Sequence, residues 1–93
     1  MKKLTFLSVI LMLASGAAHA ACYADYKAKQ DNPLRLHYGV AEIDGDCTKR
    51  RARNQLEDRL NAEGWTLLNV LDVFDDAGLE ERKDSAGEYF LRY

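Results

Sequence analysis

Trp65-Thr66-Leu67-Leu68-Asn69-Val70-Leu71-Asp72-Val73-Phe74 is the most apolar stretch of the chain beyond its first twenty residues. It begins directly after Gly64, where a helical pattern stops. Read with a period of two, Trp65, Leu67, Leu71 and Val73 fall on one face, interrupted by Asn69, and Leu68, Val70 and Phe74 fall on the other. A strand apolar on both faces is normally central and covered on both sides. The decisive question for the fold is therefore what covers it.

Upstream, Thr48 is placed to N-cap a helix that runs to about Glu63 and ends at Gly64, a residue suited to the left-handed stop. Ala52, Leu56 and Leu60 recur every four residues and make one narrow apolar stripe, while Arg and Glu face water. So narrow a stripe suits a helix lying on a sheet, not one in the middle of a bundle. Leu36 to Ile43 reads as a strand with Leu36, Tyr38 and Val40 on one face, and Asp44-Gly45-Asp46 as the turn after it. Downstream, Asp75 to Gly87 holds a short helix capped by Asp75 or Asp76 and stopped by Gly87. Tyr89, Leu91 and Tyr93 then alternate with Glu88, Phe90 and Arg92 as a last strand. Ala21 to Asn32 carries Tyr23 and Tyr26 at the spacing of one face of a short helix, broken by Asn32-Pro33. The expected fold is a small α+β domain. A roughly antiparallel sheet of about three strands, in the order strand, helix, strand, strand, packs on one main helix, with a short N-terminal helical segment and one disulfide. One helix cannot cover two sheet faces. The second cover is expected from the N-terminal segment, the short helix after Phe74, or another subunit.

The N-terminus says where such a domain works. Lys2 and Lys3 form a basic start, Leu4 to Ala14 is an almost unbroken apolar run, and Ala18-His19-Ala20 is an A-x-A cleavage pattern. Residues 1–20 thus read as a secretory signal peptide, leaving a single domain over 21–93 in the periplasm or outside the cell. The apolar run is little more than half the span of about 20 residues that crosses a bilayer. No membrane span is expected after cleavage. His19 occupies the position where a lipobox would place an apolar residue before Cys22, which favours soluble export over lipidation.

Cys22 and Cys47 are the only cysteines. In an oxidising compartment an even count in a small domain is most simply a disulfide. It would close a loop of about 26 residues and stabilise the fold by roughly 3.5 kcal/mol in the chain-entropy model. Whole, the chain has 13 Lys+Arg against 15 Asp+Glu; loss of Lys2 and Lys3 leaves 11 against 15, a net charge of −4. A mildly acidic domain has no general affinity for nucleic acid or anionic lipid.

Motifs that would dictate a reaction are missing from the sequence. His37 is the only histidine after the signal, and beside Tyr38 on a strand it is expected to be partly buried and hydrogen-bonded, not a general base. Ser85 and Thr48 lack a nucleophile context. Asp44, Asp46, Asp75 and Asp76 suit turns and caps, and two carboxylates fall short of a calcium site. No catalytic residue, metal site or cofactor is expected. Two features could serve binding. Lys49, Arg50, Arg51 and Arg53 crowd cations into the first turns of a helix, where the dipole favours the opposite charge, and make a candidate anion site. Tyr38, Tyr89 and Tyr93 are candidate interface aromatics.

The strand Leu36-His37-Tyr38-Gly39-Val40, the helix, the turn Leu60-Asn61-x-x-Gly64-Trp65-x-Leu67 and the short aromatic strand Tyr89-Phe90-Leu91 together resemble the family catalogued as domain of unknown function 4177. The resemblance spans about residues 36–93. It implies the fold above and no particular activity. The chain also resembles small secreted proteins of Gram-negative bacteria. The expectation is a non-catalytic exported interaction module that meets another envelope protein or itself as a homodimer. The alternatives are an anion-binding protein using Lys49–Arg53, and an inhibitor or accessory subunit of an envelope enzyme.

Overall fold

Cys22, Ala24, Tyr26 and Ala28 alternate with Tyr23, Asp25, Lys27 and Lys29. That period of two makes Cys22–Gln30 the first strand, β1, in the computed structural model, which describes residues 21–93. A tight turn over 31–34, with Asn32 in the left-handed region (φ 62°), returns the chain as β2, Arg35–Ile43. Helix α1 follows at Lys49–Ala62, then β3 at Thr66–Phe74 and a short α2 at Glu80–Ala86. Residues 1–20, on which the signal-peptide reading falls, lie outside the described residues.

The strands form one antiparallel sheet in the order β2-β1-β3. The expected α+β fold is present, with two corrections. Residues 21–32 are not helical: they supply the central strand. Trp65–Phe74 accordingly does not supply it, and β3 lies at an edge. Both follow from alanines, which carry a weak strand signal but allow α1 to lie close over β1. The expected succession of strand, helix, strand and strand runs from β2 onward. Its last member is reduced to one parallel bridge between Val40 and Phe90, after a 3-10 turn at Gly87–Tyr89.

Helix α1 starts and stops where its sequence says. The Thr48 hydroxyl accepts the Arg51 N–H at 3.1 Å, and Gly64 takes φ 84°. Its Ala52, Leu56 and Leu60 are fully buried against the inner sheet face, in one cluster with Ala24, Tyr26, Ala28, Ala41, Trp65 and Val70. Each leucine so buried contributes about 1.5–3 kcal/mol. The Tyr26 ring lies across Gly39, where an added Cβ would come within 2.6 Å of the ring Cζ. Gly39 is therefore a space requirement of the core. Cys22 and Cys47 are joined as a disulfide with Cα atoms 5.5 Å apart, tying the start of β1 to the loop before α1.

Candidate functional site

The outer face of the sheet, opposite α1, divides into a closed half and an open half. In the closed half Asp25 points outward from the central strand yet is only 6% exposed, because α2 lies over it. Its Oδ2 accepts the Tyr38 hydroxyl at 2.8 Å and Arg82 Nε at 3.0 Å. The Arg82 guanidinium sits 3.9 Å over the Phe74 ring and donates to Gly78 O and Glu81 Oε2. Asp75 caps the preceding 3-10 turn by accepting the Ala77 N–H, and Gly87 ends α2 at φ 54°. One arginine thus clamps the short helix to the sheet through a buried carboxylate. Burial, reinforced by the neighbouring Asp25, pushes the Tyr38 hydroxyl up to about 12, so it stays a hydrogen-bond donor at neutral pH.

In the open half nothing among the described residues covers the sheet. Leu36 is 65% exposed and Leu68 49%, with Lys27 between them on the central strand. Together with Tyr38 they line a shallow apolar depression, and Leu34 (64% exposed) stands in the adjoining turn. Single exposed leucines are ordinary on a protein surface; several around one cation on a flat sheet are not.

The two sheet edges differ in the same way. Along β2 the C-terminal segment meets the edge at Val40: Leu91 N–H donates to Val40 O at 2.7 Å, and Arg59 Nη1 donates to both Glu42 O and Tyr93 O. Beyond β3 no strand pairs among the described residues. Its register against β1 slips twice, and the residues left without a partner at those bulges are Leu68 and Leu71.

The candidate residues named from sequence are not gathered in one place. Lys49, Arg50, Arg51 and Arg53 are all exposed at the start of α1, spread around the helix by its 100° step. The hollow beside them is lined by Arg50 and Arg51 together with Asp46 and Asp58, and Arg51 lies 3.8 Å from the Asp46 carboxylate. Tyr38 lies on the outer face, held by Asp25. Tyr89 and Tyr93 stack on each other at 6.2 Å and pack against the core cluster. Between them and Trp65, His37 is buried at 8% exposure: Tyr89 stacks on it at 3.8 Å, Trp65 meets it edge-on at 4.3 Å, and the Tyr26 hydroxyl lies 3.0 Å from its Nε2. Burial lowers its pKa below the ordinary 6.5, partly opposed by Glu88, which keeps the ring neutral in the folded protein.

Asp25, Arg82, Leu36 and Leu68, which organise the outer face, were not singled out by sequence. The available signal was Asp25 itself, an acid two residues from Lys27 inside an alternating strand, which requires a partner if covered. Comparison of the chain with protein-family models, curated proteins and solved structures finds no match.

Proposed function

We propose that the protein is an exported, non-catalytic interaction module whose working surface is the open half of the outer sheet face with the adjoining β3 edge. The observation that carries this reading is the exposure of Leu36 and Leu68 around Lys27 on a sheet otherwise covered on both sides. Exposed apolar residues gathered on one sheet face and rimmed by polar groups are the usual mark of an interaction site. The disulfide is compatible with an oxidising compartment. Together with the basic, apolar and A-x-A pattern of residues 1–20, it supports placing that partner in the periplasm or outside the cell.

A photo-activated cross-linking residue placed at position 36 or 68 tests the surface in the native envelope, with position 61 on α1 as control. Adducts of one defined mass are expected from 68, with or without 36, and none from 61. Equal adducts from all three positions, or none at all, would remove the reading.

A further inference from the structure

The nine residues of β3 are Thr66-Leu67-Leu68-Asn69-Val70-Leu71-Asp72-Val73-Phe74. Exposed edge strands are normally blunted by lysine, by proline, by charges or by bulges that turn the edge away. β3 has no lysine and no proline, and Asp72 is its only charge. Its two bulges leave leucines, not charged residues, as the extra members. The opposite edge is met at Val40 by the C-terminal segment. One edge is met in this way, and the other keeps the sequence of an inner strand.

Charge is graded along that open edge. Lys27 on β1, exposed and without an ion pair among the described residues, stands beside Asn69, on the N-terminal side of Val70. Asp72, Asp75 and Asp76, all exposed, follow one another at its end. A second copy placed parallel would set like charges together. A second copy placed antiparallel reverses the gradient and sets each acidic end beside the other's basic start.

We propose that the partner is a second copy of this chain, joined β3 to β3 in antiparallel pairing about a two-fold axis near Val70, giving one continuous six-stranded sheet. The proposal rests on the reading of the β3 edge as part of an interaction surface and names the occupant of that edge. With the axis at Val70, Asp72 of one copy lies opposite Leu68 of the other, one strand away from that copy's Lys27. Two-fold symmetry forms this ion pair twice and lengthens the apolar strip by the second copy's Leu68.

Sedimentation equilibrium on the purified, disulfide-bonded protein, from about 1 to 500 μM, covers the range expected of a strand-edge interface. The expected result is a monomer–dimer equilibrium that weakens at high salt. Lys27→Asp and Asp72→Lys should each weaken it by about tenfold, since each change turns two attractions into repulsions. The double variant should restore association while the far-UV spectrum stays unchanged in all three. A monomer throughout, or an association indifferent to both reversals, overturns the proposal. The envelope cross-linking separates its failure from that of the underlying reading. Adducts from position 68 to a protein other than this chain would keep the surface and remove the second copy. Monomers with no adduct would remove both.

Discussion

Removing the Arg82 guanidinium would leave the Asp25 carboxylate beneath α2 with the Tyr38 hydroxyl as its remaining donor among the described residues. Breaking a buried pair from one side is far more costly than replacing both partners by apolar groups. Arg82→Met is therefore expected to lower stability by about 3 kcal/mol, and Asp25→Leu with Arg82→Met by clearly less, read from urea denaturation. A double variant as unstable as the single would contradict the clamp. Gly39 is the second residue whose replacement has a calculable effect. A methyl group there collides with the Tyr26 ring, which is fully buried and cannot swing away. Gly39→Ala should cost about 1–3 kcal/mol by overpacking; an unchanged denaturation midpoint would show that the ring has room to move. His37 gives the molecule a pH dependence of known sign. The unfolded chain takes up a proton near 6.5, whereas burial holds the folded imidazole neutral to lower pH. The unfolded state thus binds more protons below that point, so stability falls as pH drops below about 6.5 and is unaffected by this group above it. In His37→Phe the slope of stability against pH in that window should flatten.

Which elements the chain forms was legible wherever a local signal coincided with the tertiary outcome. Thr48, the Ala52-Leu56-Leu60 stripe and Gly64 mark α1 to within a residue, because cap, stripe and stop each act over one or two turns. Asp75 and Gly87 bracket the segment containing α2 for the same reason. In the N-terminal segment Tyr23 and Tyr26 carry a helical spacing, whereas Ala24 and Ala28 complete a strand alternation that is weak in any propensity scale. Their small size has meaning only once α1 is known to lie on them. The apolar second face of β3 likewise suggests a central strand, whereas the small alanines of β1 let that strand take the centre and leave β3 at the edge. Asp25 and Arg82 stand 57 residues apart, and no local pattern joins them. The disulfide acts at this scale as well: it fixes the start of β1 against the loop entering α1. Cys22→Ala with Cys47→Ala should lower stability by about 3.5 kcal/mol, checked by urea titration beside the oxidised protein. A loss well under 1 kcal/mol would show that the sheet and α1 hold that loop without it.

As a whole molecule the domain is lopsided. One sheet face is filled by α1, the other only half covered by α2, and one edge is met at Val40 by the C-terminal segment while the other is left as β3. Apolar surface that a central strand would bury stays on the outside at Leu68, beside Leu36 and Lys27. A second copy paired at that edge would continue the sheet where none of the described residues does. Amide hydrogen exchange as a function of protein concentration tests this most directly, because strand pairing protects backbone N–H groups. Raising the concentration from about 1 to 500 μM, the span over which a strand-edge interface associates, should slow exchange along Thr66–Phe74 and leave Arg35–Ile43 unchanged. Exchange along β3 that is fast and the same at every concentration would contradict self-association through that edge.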